Sequence, residues 1–167
     1  MKTAALVAVE DYLHTSYDPD REYVDGEIQE RNLGEIDHSR LQVAVVAYFY
    51  ARRAELGIEV LSEVRVQVAA HRFRVPDVSV IIGKAEGRIV TNPPFIVVEI
   101  LSPEDTVGRL MERVQDYAEF GVPNIWVIDP SKRSGYTASS EGLRRIDILR
   151  TSGEPQIALE LLQLFQA

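Results

Sequence analysis

The chain contains no cysteine. That excludes disulfide bonds, thiolate catalysis and zinc sites built on cysteine. Lysine is scarce too: of 18 basic residues only Lys2, Lys84 and Lys132 are lysine, and the rest are arginine. Arginine presents a planar fork that matches carboxylates and phosphates, although the base composition of the coding sequence produces the same bias and is the simpler account. No apolar run approaches the roughly 18 to 20 residues of a membrane span, and the stretch Met1–Val7 meets Glu10 and Asp11 too soon to read as a secretory signal. A soluble, cytoplasmic protein is the expectation. Repeats and low-complexity segments are missing, and no GxxxxGKS/T or GxGxxG string offers a phosphate loop. Excess positive charge is missing as well: the formal net charge is -8. A general nucleic-acid binder is expected to be basic, because phosphate contacts dominate affinity. An acidic chain fits nucleic acid only through a local patch, or through carboxylates that work with a metal.

What is present suits one domain over residues 1–167, with 46% apolar residues to build a core. Residues 3–14 read as a short amphipathic helix. Asp25-Gly26 is a dipeptide favoured in two-residue hairpins, which places Glu22 and Glu27 on its two arms. The spacing of Leu41, Val45, Tyr48 and Phe49 predicts a helix over 37–56, capped by Asp37 or Ser39 and ended by Gly57. Two strands follow, over 58–68 and 73–82, and then a nearly all-apolar strand over 95–101, the buried kind. Ser102-Pro103-Glu104-Asp105 has the composition of a helix start: a cap, proline at the first position, and acids in the first turn. That helix should reach Phe120, and Asn124–Ile128 should form another buried strand. A hairpin around Glu141-Gly142, a short strand at 156–159 and a terminal helix or turn complete the chain. The core order is helix, strand, strand, strand, helix, strand, an α/β architecture with a mixed sheet.

Two charged residues interrupt strands that are otherwise apolar: Asp77 in Val75–Ile82 and Glu99 in Phe95–Leu101. A buried carboxylate costs several kcal/mol unless it is paired, hydrogen-bonded or metal-bound. Alternation puts Asp77 on the face of Ser79 and Ile81, and Glu99 on the face of Val97 and Leu101. Paired in register, the two would converge into an oxygen site for a hard cation such as Mg²⁺ or Mn²⁺. The alternative is that Asp77 sits exposed at a sheet edge and Glu99 is salt-bridged to an arginine. His14 and His71 read as surface residues, and Trp126 as core.

The strings Arg74-Val75-Pro76-Asp77-Val78-Ser79-Val80, Pro94-Phe95-Ile96-Val97-Val98-Glu99-Ile100-Leu101-Ser102-Pro103 and Tyr117-Ala118-Glu119-Phe120-Gly121-Val122-Pro123-Asn124-Ile125-Trp126-Val127-Ile128-Asp129-Pro130, with Glu22–Glu27 and His38, carry a resemblance. The chain resembles the bacterial family labelled "putative restriction endonuclease", a branch of the PD-(D/E)XK superfamily, over roughly residues 20–165. The resemblance implies a restriction-endonuclease-like core (αβββαβ) with a mixed central sheet, flanked by an N-terminal helix and hairpin and a C-terminal hairpin. It implies a Mg²⁺- or Mn²⁺-dependent endodeoxyribonuclease with Asp77 and Glu99 as catalytic and metal-binding residues and DNA as partner. Glu27 and His38 are accessory candidates. One departure stands out. The superfamily motif carries a lysine two residues after the second acid, where this chain has Leu101. In this branch the lysine resembles one moved to the following helix, where this chain has Arg113, on the flank of the stripe Leu110, Val114, Tyr117. Arginine can hold a phosphate but cannot act as a general base, its pKa exceeding about 12; Arg113 is therefore given an electrostatic role. As a surface residue it would instead pair with Glu112 or Asp116. A homodimer is expected, since cutting both strands needs two sites. Leu101, Arg113 and the acidic charge also admit a nuclease fold that no longer cuts and serves as a binding or regulatory module, or a domain whose carboxylates are structural.

Overall fold

The structure, a computed structural model, describes residues 5–32 and 34–166. Its frame is a six-stranded mixed sheet in the order β10-β9-β8-β7-β6-β3. In chain order these strands are β3 (Ile58–Ser62), β6 (Val78–Ile82), β7 (Ile96–Ile100), β8 (Asn124–Asp129), β9 (Ser134–Ser139) and β10 (Gly142–Ile146). Only β7 and β8 run parallel; the helix α3 (Val107–Phe120) crosses over between them, as a parallel pair requires. Helix α2 (Ile36–Leu56) precedes β3, so the expected order, helix, three strands, helix, strand, is present.

Strand alternation sorts the core into two layers. Val78, Val80, Ile96, Val98, Trp126 and Ile128 point to one side and pack on Leu41, Val45 and Phe49 of α2. Val97, Ile125 and Val127 point to the other and pack on Leu110, Val114 and Tyr117 of α3. A buried sheet needs apolar residues on both faces, which is why β7 and β8 read as continuous apolar runs.

Each of the two strands expected over 58–68 and 73–82 is broken in two. β4 (Val66–Ala69) and β5 (Arg72–Arg74) leave the main sheet and join β1 (Glu22–Val24) and β2 (Glu27–Gln29) in a second sheet, ordered β2-β1-β5-β4. The break has local causes. Glu63 takes a left-handed conformation, φ 52°, a turn geometry rather than a strand one. Across from it, Val75 donates its N–H to the Glu22 side chain (3.1 Å) instead of a ladder, and Pro76 has no N–H to donate. The chain is thus free to swing between sheets just before Asp77.

Other boundaries shift as well. The N-terminal helix is confined to α1 (Val9–His14); its expected start at residues 3 and 4 lies outside the described residues. Helix α3 does not start at Ser102. Asp105 turns its carboxylate back to accept from the Ser102 N–H (2.9 Å) and hydroxyl (3.1 Å), closing a turn, and Thr106 caps the helix by accepting from the Arg109 N–H (3.3 Å). The C-terminal segment forms β11 (Ile148–Arg150) paired with β12 (Ala158–Glu160), then α4 (Leu161–Phe165) packed on the α2 side.

Candidate active site

Asp77 stands one residue before β6. The antiparallel register with β7 pairs Val78 with Val98 and Ser79 with Val97, and one further step brings Asp77 opposite Glu99. Both carboxylates therefore face the α3 side at the mouth of the main sheet, and both are buried. They form part of the lining of a cleft between the end of the sheet, the β1–β2 hairpin and α3; Glu22, Arg31, His38, Arg74, Asp105 and Arg113 also line it.

Each carboxylate is held by named donors. Asp77 Oδ2 accepts from the Ile100 N–H at 2.7 Å. Its Oδ1 lies 3.1 Å from the Arg31 guanidinium and 3.3 Å from His38 Nε2. The hydrogen bond to Asp77 lifts the His38 imidazole above its usual pKa, against the opposing effect of burial. On the other strand, Glu99 Oε1 accepts from the Tyr117 hydroxyl at 2.6 Å, while Oε2 lies 3.3 Å from Arg113 Nε. Burial pushes Glu99 up to about 7, and the nearby charges of Asp77 and Glu22 push the same way; Arg113 and Tyr117 oppose them without cancelling the rise. Arg113 also donates to Asp105 at 3.1 Å. Its Nε–H is buried and, despite the short distance to Glu99, is not aimed at any acceptor.

A second charge cluster forms the wall behind the cleft. Arg74, only 3% exposed, donates to Glu22 at 2.8 Å and to Asp116 of α3 at 2.7 Å. Arg72 reaches the other Asp116 oxygen at 2.9 Å. These bonds clamp the second sheet to α3, so the hairpin cannot drift from the carboxylates.

Of the residues singled out in the sequence, Asp77, Glu99, Arg113 and His38 meet in this cleft. Glu27 does not: it is exposed on β2, opposite Val24. Its hairpin neighbour Glu22, one arm back, occupies the cleft instead. Leu101 is half-buried against the α3-side core. Sequence reasoning passed over Glu22, Arg31, Arg74 and Tyr117. Tyr117 was legible only as part of the apolar stripe of α3, and nothing local marked its hydroxyl as the partner of Glu99. For Arg74 there was a signal, a charge directly ahead of a buried strand.

A divalent ion fits this donor set in chemistry. Two hard, buried carboxylates on neighbouring strands suit Mg²⁺ or Mn²⁺. Among the described residues no group of three or more His, Cys, Asp or Glu side chains is placed to hold an ion. The pair would therefore offer an open site, in the manner of Mg²⁺ held by one or two carboxylates with water and substrate oxygens.

Residues 9–165 match the family model Uma2, described as "Putative restriction endonuclease". The chain belongs to that family. A crystal structure of a "putative nuclease belonging to DUF820" from Anabaena variabilis ATCC 29413 shares the fold: TM-score 0.81 at 20% identity, with 96% of this chain and 98% of that chain covered. A cryo-EM structure of a DrdV–DNA complex overlaps far less, with TM-score 0.38 at 18% identity over 66% of this chain and 11% of that one, and supports no argument. No curated protein matches the chain. Among the described residues no helix is long and apolar enough to cross a membrane.

Proposed function

We propose that the chain is a Mg²⁺- or Mn²⁺-dependent endonuclease of PD-(D/E)XK type that hydrolyses DNA phosphodiester bonds at the Asp77–Glu99 cleft. The observation that carries this reading is the convergence of two buried carboxylates from neighbouring strands in a cleft ringed by arginines. A bound ion would lower the pKa of a water and neutralise charge on the phosphodiester. The chain's own groups do the positioning. The Ile100 N–H fixes one oxygen of Asp77 and the Tyr117 hydroxyl one oxygen of Glu99, while the other oxygens face Arg31, His38 and Arg113. Arg113 keeps its charge at any working pH and offers a buried N–H without an acceptor, the kind of donor a phosphate oxygen would satisfy. It cannot take a proton, so its role is electrostatic and the base is left to metal-bound water. Arg31 and His38, now on Asp77, would be released toward substrate when a cation takes that carboxylate.

A second reading, a nuclease fold that binds without cutting, is favoured by Leu101 in the place of the motif lysine and by the arginines that already neutralise both carboxylates. The test is plasmid and single-stranded DNA incubated with Mg²⁺ or Mn²⁺ and the parent or Glu99→Gln protein, alongside Mn²⁺ calorimetry. Cleavage lost in Glu99→Gln supports the enzyme. Metal binding without cleavage by the parent favours the binding module. Neither metal binding nor cleavage removes both readings and leaves the carboxylates structural.

A further inference from the structure

The solvent face of α2 carries an apolar seam. Ile36, Val43 and Tyr50 are 69%, 66% and 54% exposed, and Ala47 and Ala54 are exposed as well. With Arg40 they recur at alternating steps of four and three residues along the whole helix, the spacing of a helix-pairing seam. At about 100° per residue, the six positions lie within about 40° of one line. The buried residues Leu41, Val45 and Phe49 lie on the opposite side. A surface helix needs one apolar stripe to face its core; α2 has two, and only one is used.

We infer that this seam is the contact between two copies of the chain, with their α2 helices packed antiparallel about a twofold axis between Val43 and Ala47. The layers then match in size. Ile36 meets Ala54 of the second copy, and Val43 meets Ala47, so each larger side chain faces a small one and the helices approach closely. Arg40 meets Tyr50, an arginine over an aromatic face. Charge matches on one flank, where Glu35 comes opposite Arg53 of the second copy; on the other Asp37 comes opposite Glu55, and Arg40, paired with Asp37, comes within reach of both acids. Parallel packing would instead set Arg40 beside Arg40 in the seam and align the helix dipoles unfavourably. In the single chain, among the described residues, these charges are engaged only within the helix, Arg53 donating to the Tyr50 carbonyl at 2.6 Å. Arg40 pairs with Asp37 at 3.3 Å with both side chains about three-quarters exposed, and Arg53 lies 3.7 Å above the Tyr50 ring. A single helix pair is at the small end of specific interfaces, so association should depend on concentration.

Because the chain has no cysteine, cross-linking reads the orientation cleanly. In the antiparallel pair positions 36 and 54 of different copies are level, while two copies of position 36 are about 27 Å apart along the axis. Ile36→Cys and Ala54→Cys proteins, mixed and oxidised, should give a heterodimeric disulfide, and each alone should stay monomeric on a denaturing gel. Sedimentation across a micromolar range should show a monomer–dimer equilibrium, weakened at least about tenfold by Val43→Glu, with the thermal unfolding of Val43→Glu unchanged because Val43 is outside the core. A parent that is monomeric throughout, with no disulfide formed between the mixed Ile36→Cys and Ala54→Cys proteins, overturns the proposal. So does a dimer that Val43→Glu leaves intact, or efficient cross-linking of Ile36→Cys with itself.

Discussion

Arg113 reaches from the middle of α3 to stand 3.3 Å from Glu99 and 3.1 Å from Asp105, so one guanidinium answers two acids on different segments. Removing it leaves a buried carboxylate and a half-buried one without a cation. Glu99 can escape by taking a proton, which limits the damage; the expected loss for Arg113→Ala is roughly 1–3 kcal/mol in urea unfolding at pH 7. Arg113→Lys keeps the charge and should recover most of it. Equal stability of Arg113→Ala and parent would mean that the ion pair contributes nothing.

Asp77→Asn poses a different balance. Repulsion between Asp77 and Glu99 argues that neutralising one of them stabilises the metal-free protein. The neighbours reverse that expectation: Arg31 and His38 both address Asp77 Oδ1; His38 loses its carboxylate partner, and Arg31 is left with Glu63 at 3.6 Å. We expect a loss of about 1–3 kcal/mol without metal, together with loss of Mn²⁺ binding in calorimetry. A variant that melts higher than the parent would show that repulsion dominates, and one that binds Mn²⁺ normally would remove Asp77 from the site.

The helix and strand order of the core was legible because periodicity and apolar runs report burial directly, and Asp77 and Glu99 stood out as charges inside such runs. The supporting shell was not. Glu22, Arg31 and Arg74 owe their place to the handover of chain between two sheets. That handover depends on a left-handed Glu63 and on a Val75 N–H captured by a side chain 53 positions away. Neither leaves a periodic trace. The late start of α3 has the same origin: Ser102 and Pro103 look like a cap, but the side chain of Asp105 closes a turn first. Glu27 and Glu22 were indistinguishable in the sequence, since a three-residue strand gives no pattern that tells its buried face from its exposed one.

Stability should depend on pH in a stated direction. Glu99 is raised from 4.5 to about 7 in the metal-free fold. The folded state therefore holds a proton that the unfolded state has released, and stability from this group is present below about pH 4.5 and lost as pH rises through 7. His38, raised by Asp77, acts the same way: its contribution is whole below the ordinary imidazole pKa of about 6.5 and fades as pH climbs through the folded value. Unfolding free energy should fall between pH 5.5 and 8, and Glu99→Gln should flatten that slope. Metal affinity should move oppositely, rising over the same window, because the ion needs the deprotonated carboxylate. A parent whose unfolding midpoint is flat or rises from pH 5.5 to 8 would contradict the burial of an uncompensated acid at Glu99.

The Arg74 clamp gives a prediction about the wall rather than the carboxylates. Arg74→Ala strands Glu22 and leaves Asp116 with Arg72 alone, both acids being buried, and losing one partner of a buried charge cluster costs about 3–5 kcal/mol. Replacement by Met, which fills much of the volume, should cost nearly as much, because Glu22 still lacks its cation and Asp116 keeps only Arg72. Guanidinium unfolding of the three proteins separates packing from charge: a Met variant as stable as the parent would show that volume, not charge, holds the hairpin to α3.

Leu101→Lys restores the motif lysine two residues after Glu99, and we expect it not to raise cleavage by itself. Leu101 is half-buried and packed with the α3-side core, so exposing that contact costs on the order of 1–2 kcal/mol, less than a fully buried leucine would. The new ammonium would also compete with Arg113 for Glu99, and two cations on one carboxylate repel. The competition disappears when Arg113 is removed. Leu101→Lys combined with Arg113→Ala should therefore cleave faster than Arg113→Ala alone, while Leu101→Lys in the parent should cleave no faster than the parent. Initial nicking rates of supercoiled plasmid with Mn²⁺, measured for all four proteins at matched folded fraction, give the comparison. If Leu101→Lys accelerates the parent, the site had room for a second cation and Arg113 does not occupy the lysine's role. If it fails to help the Arg113→Ala background, a lysine on this strand cannot reach the cleft that Glu99 faces.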